Sequence, residues 1–132
     1  MLFFIAYVEN FSYVCRMKVI IAGGRDFNDY DLLKKKCNKI LSEIKEDIII
    51  VSGGAKGADS LGERYANERG FGIDYFIPDW NKYGRAAGML RNAEMSKHAD
   101  AAIIFWDQKS RGSKNMIELS KKEGLKLRVI NY

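Results

Sequence analysis

Short apolar runs rich in β-forming residues alternate along this chain with longer stretches whose apolar residues recur at helical spacing. Residues 48–52 and 101–106 are almost continuously apolar, which is typical of strands buried on both faces of a parallel sheet. Further runs predict strands over residues 19–22, 73–77 and 127–130. This alternation indicates βαβ units, in which a helix connects each strand to a parallel neighbour.

The stretches between these strands predict helices over residues 29–45, 58–69, 85–98 and 113–123. Right-handed crossovers then place helices on both faces of the sheet. The sequence therefore predicts an α/β fold, a three-layer Rossmann-like domain with a mostly parallel sheet of about five strands. In such sheets ligands bind at the carboxyl ends of the strands, near the point where the strand order reverses.

Length, charge and cysteine content narrow the class of protein. The 132 residues suffice for one hydrophobic core. The formal net charge of +5 favours anionic partners such as free nucleotides or nucleic acid. The two cysteines, Cys15 and Cys37, form no CxxC pair, and His98 is the one histidine. We therefore expect no disulfide framework, no metal site and no required cofactor.

The N-terminus is apolar over residues 2–8, but it lacks the basic region of a signal peptide and is much shorter than the roughly 20 residues of a membrane span. From Met17 the chain continues as KVIIAGG, a first strand with its glycine turn. We therefore expect residues 1–16 to be an N-terminal extension and residues 17–132 to be the ligand-binding domain. An added edge strand, a partner-contacting tail and an overcalled start codon remain alternatives for the extension. We expect a cytoplasmic protein without membrane contact.

Three loops that are polar, basic and rich in glycine follow the first, second and fourth strands, and parallel strands bring them to one edge of the sheet. They supply the candidate ligand-binding residues: Gly23, Gly24, Arg25 and Asp26; Ser52, Gly53, Gly54, Lys56, Gly57 and Asp59; and Asp107, Arg111, Gly112, Ser113, Lys114 and Asn115.

The second of these loops carries the most specific pattern. Gly53, Gly54 and Gly57 fall within five residues between a buried strand and a helix, so backbone N–H groups can approach a phosphate closely, with Lys56 beside them. Neither a Walker A motif nor GxGxxG is present. The alternative is that Gly53 and Gly54 only turn the chain.

The helix before the fourth strand contributes a second set of candidates. Arg85, Gly88, Asn92 and Met95 share one helical face, with Arg91 beside Asn92. Arginine binds planar oxyanions bidentately, so Arg85, Arg91 and Asn92 join the predicted ligand site. Two nearby tryptophans, Trp80 and Trp106, could stack on a base, although packing in the core or a lid is the alternative.

The segments KVIIAGGRDF, IIIVSGGAKGADSLGERYA, DWNKYGRAAGMLRNAEM, ADAAIIFWD and SRGSKNMI together resemble the YspA-like branch of the SLOG superfamily, from about Met17 to the C-terminus. The resemblance implies a Rossmann-like domain that binds nucleotides or their derivatives, in a branch encoded by bacteria and phages. The branch is similar to the DprA/Smf DNA-processing proteins and to the LOG-type proteins once called lysine decarboxylases.

A comparison with LOG-type phosphoribohydrolases separates binding from catalysis. Arg91, Met95 and Asp100 match their Arg-x-x-x-Met and Ala-Asp elements, and Gly112 and Ser113 resemble their Gly-Thr pair. Asn115 stands where the resemblance would place the catalytic Glu, and Asn cannot act as a general base. The remaining catalytic candidates are Arg91 with Glu94, while Glu118, Asp26, Asp59 or Asp107 could supply a carboxylate from another direction.

The favoured hypothesis is a sensor or effector module that binds a small phosphorylated ligand, a nucleotide or a nucleotide derivative. The alternatives are a hydrolase of an N-glycosidic or phosphate bond in such a nucleotide, and a DprA-like single-stranded DNA binder. The DNA-binding alternative is weakened because the lysines concentrate on the first helix, away from the predicted loops. We also expect that the domain could pair with a second copy through its helices.

Overall fold

The computed structural model describes residues 16–132, which form five strands and five helices. The strands are β1 (Arg16–Gly23), β2 (Asp47–Ser52), β3 (Gly72–Tyr75), β4 (Ala101–Trp106) and β5 (Lys126–Asn131). The helices are α1 (Tyr30–Leu41), α2 (Ala58–Arg69), the single-turn α3 (Trp80–Tyr83), α4 (Ala87–His98) and α5 (Arg111–Lys122), and a 3₁₀ turn spans Gly84–Ala86. The predictions for residues 1–15 lie outside the described residues.

The five strands form one sheet in the order β3-β2-β1-β4-β5, and every neighbouring pair is parallel. This confirms the predicted α/β, Rossmann-like class. The chain leaves β1 toward β2 and β3 on one side and later returns to β4 and β5 on the other. The strand order therefore reverses between β1 and β4, where Val19 lies opposite Ala101 and Gly23 opposite Phe105.

Two apolar layers cover the two faces of the sheet, because successive side chains of a strand point to opposite sides. Val19 and Ile21 of β1 belong to the layer that α1 and α2 complete with Leu33 and Tyr65. Ile20 belongs to the opposite layer, with residues of α4 and α5. The burial of β1 on both faces explains why a continuous apolar run predicts it.

The structure moves several predicted helix boundaries. Helix α1 ends at Leu41 rather than at residue 45. After Ser42 the chain turns, with Ile44 N–H donating to the Leu41 carbonyl at 3.1 Å, and the Ile44 side chain packs against the core from this turn. The predicted helix over residues 85–98 is preceded by α3 and the 3₁₀ turn, since Gly84 has a φ of +56° and interrupts the helix. Helix α5 begins at Arg111, two residues before the predicted start.

Within residues 16–132 none of the helices combines the length and the apolar character that crossing a bilayer requires.

Candidate functional site

A cleft of about 480 Å³ opens at the carboxyl ends of β1 and β4, where the strand order reverses. Its walls come from residues 22–26 at and after the end of β1, from Ala55 and Asp59, from one face of α4 with the turn before it, and from residues between Asp107 and Met116. The volume lies within the range of about 300–1,000 Å³ that small-molecule sites occupy. The position matches the one at which doubly wound sheets bind ligands.

The loop after β1 is fixed to its neighbours through the backbone. Gly24 N–H donates to the Phe105 carbonyl at 3.1 Å, and the Gly24 carbonyl accepts from Ala58 N–H at 3.1 Å. Asp26 accepts a hydrogen bond from the Tyr132 hydroxyl at 3.0 Å, and burial together with this carboxylate raises the pKa of Tyr132 to about 12. These bonds hold the loop in place, with the exposed Arg25 on the lining of the cleft.

The glycine-rich loop after β2 is held by contacts with α2 and with the loop after β1. The buried Ser52 donates its hydroxyl hydrogen to Glu63 Oε2 at 2.6 Å and accepts from Gly54 N–H at 3.1 Å. Gly57, with a φ of +77°, lies against the backbone of Gly24 and Arg25, so a side chain there would collide with both. Its close approach is what brings the first two loops together.

Gly53 occupies the point where two charged side chains meet this loop. A Cβ at this position would lie 2.8 Å from Asp59 Oδ2 and would also strike the Arg91 guanidinium. The absence of a side chain therefore lets Arg91 and Asp59 pack against the backbone of the loop.

Asp59 is a buried carboxylate on the lining of the cleft, at the first turn of α2. Its Oδ2 accepts from Ala55 N–H at 3.3 Å. Burial raises its pKa to about 6, and the Ala55 N–H and the positive charge of Arg91 oppose this rise. Asp59 therefore changes its charge closer to neutral pH than an ordinary aspartate does.

Arg91 joins α4 to the segments that follow β2 and β3. Its Nη1 donates to the carbonyls of Gly53 and Phe76, which follow β2 and β3, and its Nε donates to Asn92 Oδ1 at 3.0 Å. A guanidinium has five N–H donors, so these bonds leave the two donors of Nη2. Since Arg91 lines the cleft, it both holds the wall together and retains donors for a ligand.

Asn92 continues this chain of hydrogen bonds to α5. Its Nδ2 donates to Asn115 Oδ1 at 3.0 Å and lies 3.5 Å from the Gly112 carbonyl. Asn92 and Gly112 line the cleft, whereas Asn115 does not. The residue at the position of the LOG-type glutamate therefore contacts Asn92 from behind the cleft wall.

The N-terminus of α5 faces the cleft. Asp107 accepts from the N–H groups of Lys109 and Ser110 at 2.8 Å each, and these bonds lower the pKa of its carboxyl. Ser110 caps the helix by accepting from Ser113 N–H at 3.3 Å. The Ser113 hydroxyl is buried on the cleft lining and has no hydrogen-bond partner among residues 16–132.

The structure divides the predicted ligand-binding residues into two sets. Those that line the cleft are Gly23, Gly24, Arg25, Asp26, Asp59, Arg85, Arg91, Asn92, Asp107, Gly112 and Ser113. Those that do not are Ser52, Gly53, Gly54, Lys56, Gly57, Arg111, Lys114 and Asn115, together with the exposed Glu94. A phosphate cradle built on Gly53, Gly54 and Gly57 stays a prediction.

Sequence reasoning did not select several residues of the lining, among them Met89, Ser110 and Met116. Met116 follows Ser113 by one helical turn, and Ser110 precedes the helix as its cap. Helical spacing and the capping preference of serine were the signals that could have found these two.

The chain is similar to known proteins over most of its length. A family model described as YAcAr, the YspA, cpYpsA-related SLOG family, matches residues 17–83. The Gene 61 protein of Mycobacterium phage D29 is 31% identical over 121 residues, which cover 87% of this chain and 95% of the phage protein. The chain belongs to the YspA, cpYpsA-related SLOG family. The segment that the YAcAr model matches contains the loops after β1 and β2, and the phage relative extends the similarity toward the remaining walls.

One solved structure is similar to this YAcAr domain at 14% sequence identity with a TM-score of 0.41. It is described as a predicted subunit of tRNA methyltransferase from Methanocaldococcus jannaschii, and the match covers 86% of this chain and 66% of that one.

Proposed function

We propose that this YAcAr domain binds a phosphate-bearing nucleotide or nucleotide derivative in the cleft, as a sensor or effector module. The observation that carries the proposal is the hydroxyl of Ser113, which has no partner within the described part of the chain, while the residue itself is 4% exposed and lines the cleft. An unsatisfied buried hydroxyl costs about 1–3 kcal/mol. A ligand oxygen in the cleft would accept this hydrogen bond and remove the cost.

The helix that carries Ser113 adds an electrostatic preference for an anion. The first N–H groups of a helix have no intrahelical partner and carry partial positive charge. Helix α5 has no acidic residue in its first turn, so its own side chains leave this charge uncompensated. A phosphate between Ser113 and Gly112 would accept from both the hydroxyl and the helix N-terminus.

The arginines of the cleft favour the same type of ligand. Arg25 and Arg85 line it, and the ion pairs found in residues 16–132, Lys34–Glu68 and Arg64–Glu68, include neither of them. Two of the cleft carboxylates already accept hydrogen bonds from protein groups: Asp26 from Tyr132 and Asp107 from two backbone N–H groups. These bonds occupy the carboxylate oxygens without removing their charge, so the preference for an anion rests on the N–H donors of Arg25 and Arg85 and on the N-terminus of α5.

Calorimetry with AMP, GMP, CMP and UMP tests the proposal, with Ser113→Ala and Ser120→Ala as a matched pair on α5. The Ser120 hydroxyl is also buried, but it donates to the Met116 carbonyl at 2.7 Å. Ser113→Ala should weaken nucleotide binding about tenfold, the effect of one hydrogen bond to a charged group, and Ser120→Ala should leave it unchanged. If none of the four nucleotides binds the wild-type protein, the proposal fails.

A second candidate function, hydrolysis of an N-glycosidic or phosphate bond in such a nucleotide, is favoured by Asp59. Its carboxyl lines the cleft and has a pKa raised to about 6 by burial, which suits a group that gives and takes protons near neutral pH. Incubation with the four nucleotides, followed by chromatography, tests whether base or phosphate is released. Asp59→Asn should reduce release about 100-fold or more, whereas Glu94→Gln, outside the cleft, should retain it. A wild-type protein that releases neither product contradicts this candidate.

A further inference from the structure

Exposed apolar side chains are concentrated beside the cleft. Of the eight large hydrophobic residues that are exposed in the described chain, six lie between Tyr75 and Leu90. We call five of them the apolar rim: Ile77, Trp80, Tyr83, Met89 and Leu90. A concentration of exposed apolar side chains in one segment of a small domain favours a binding site there.

The apolar rim continues into the cleft through Gly88 and Met89. Both residues line the cleft, and the indole of Trp80 lies beside Gly88, where an added Cβ would be 3.5 Å from its Cη2 atom. The edge of the Trp80 ring therefore borders the cleft at Gly88, although Trp80 is not one of the residues that line the cleft.

We propose that the apolar rim, centred on Trp80, is a subsite for the aromatic base of the ligand, and that the domain therefore recognises a nucleotide rather than a sugar phosphate or a free phosphate. This inference rests on the proposed function, because it assumes that the cleft holds the phosphate. The indole of Trp80 is half-exposed and offers a flat apolar face. Any of the bases can stack on such a face, because each has a π-face of its own.

The arrangement of polar and apolar groups supports this division of the ligand. Ser113 and the N-terminus of α5 form one wall of the cleft, while Gly88 and Met89 lie on α4 with Arg85 in the turn before it. Arg85 lines the cleft from the 3₁₀ turn that follows the helix of Trp80, where a guanidinium can contact phosphate or the edge of a base. A nucleotide has the matching polarity, since its phosphate is anionic and its base is planar and apolar on both faces.

The test compares ribose 5-phosphate with AMP, GMP, CMP and UMP by calorimetry, on the wild-type protein and on Trp80→Leu and Tyr75→Leu. Tyr75 is the matched control, because it is 55% exposed against 50% for Trp80 but lies on the edge strand β3, whereas the side chain beside Gly88 of the cleft is that of Trp80. The tightest nucleotide should bind wild type about tenfold more tightly than ribose 5-phosphate does. Trp80→Leu should remove this advantage and leave the affinity for ribose 5-phosphate unchanged, and Tyr75→Leu should preserve both.

Each other outcome overturns the inference in a distinct way. Equal affinity of wild type for ribose 5-phosphate and the nucleotides, or an advantage that survives Trp80→Leu, refutes the base subsite while the proposed phosphate site stands. Absence of binding by every phosphorylated probe refutes the proposed function itself. Sedimentation of the same proteins tests whether the apolar rim binds a second copy of the chain instead. This is the case if Trp80→Leu dissociates a dimer and leaves the nucleotide advantage intact.

Discussion

Asn92 donates a hydrogen bond from Nδ2 to Oδ1 of Asn115 at 3.0 Å, and this bond joins α4 to α5 behind the wall of the cleft. The Oδ1 of Asn92 in turn accepts from Arg91 Nε at 3.0 Å. The side chains of Arg91, Asn92 and Asn115 thus form a chain of hydrogen bonds. It runs from the Gly53 carbonyl, in the loop after β2, to the helix that carries Ser113. Asn115 therefore makes a defined structural contact. The absence of the LOG-type glutamate at this position would not by itself explain that contact.

Removal of the Asn115 side chain should destabilise the domain. Asn115→Ala leaves Asn92 Nδ2 with only the long contact to Gly112, and we expect the free energy of unfolding to fall by about 1 kcal/mol. Asn115→Asp retains an oxygen that accepts from Asn92, so it should lose less. Urea unfolding of the two variants measures the difference, and equal losses would argue against the bond.

Ser113 and Ser120 should respond in opposite ways when each is replaced by alanine in the absence of ligand. The Ser113 hydroxyl is buried without a partner, so Ser113→Ala should leave stability unchanged or raise it by up to about 1 kcal/mol. Ser120→Ala removes a buried hydrogen bond to Met116 and should cost about 1 kcal/mol. Thermal and urea unfolding check both values. A clear loss of stability in Ser113→Ala would mean that the hydroxyl already has a partner, such as a bound water.

Local patterns in the sequence predicted the sheet and one wall of the site, because both depend on periodicity. The unbroken apolar runs of β2 and β4 follow from their burial on both faces, and helical spacing placed Arg85, Gly88, Asn92 and Met95 on the face that lines the cleft. Contacts between distant segments could not be predicted in this way.

Two residues show where the sequence stops being informative. Arg91 was expected to grip a phosphate, yet most of its donors are taken by carbonyls and an amide brought together by the fold. The isolation of the Ser113 hydroxyl likewise results from the packing of α5 at the cleft. Neither relationship has a signature in local spacing, since each depends on segments that are far apart in the chain.

Gly57 should tolerate substitution far less well than Gly70, although their φ angles are nearly equal at +77° and +75°. A Cβ at Gly57 would collide with the backbone of Gly24 and Arg25, whereas a Cβ at Gly70 would meet nothing within 4 Å. Gly70→Ala should therefore cost about 1–2 kcal/mol from its left-handed backbone alone. Gly57→Ala should cost about 3 kcal/mol or more, because the loops after β1 and β2 must also separate and because the ψ of Gly57, −127° against 21° at Gly70, lies outside the left-handed helical region. Similar unfolding midpoints for the two variants would contradict the close approach of these loops.

Asp59 should make the stability of the domain depend on pH between about 4 and 6. Burial raises its pKa from 3.8 to about 6 in the folded protein. Below about pH 3 the carboxyl is protonated in both states. As the pH rises to 6, the unfolded chain loses this proton while the folded protein keeps it, so the contribution of Asp59 to the free energy of unfolding falls and then levels off. Asp59→Asn cannot titrate, and the wild type should therefore lose about 2 kcal/mol relative to this variant across the same interval.

Urea unfolding of wild type and Asp59→Asn at half-unit steps from pH 4 to pH 7 measures this difference. Other carboxylates, among them Asp107 with its lowered pKa, contribute the opposite slope to both proteins and cancel in the comparison. A difference that stays constant over the range would show that the Asp59 carboxyl is ionised at pH 4 in the folded protein, and that Arg91 and the Ala55 N–H outweigh its burial. The same titration repeated with a bound nucleotide should show a larger pH dependence, because an anion beside Asp59 raises the pKa of the carboxyl further.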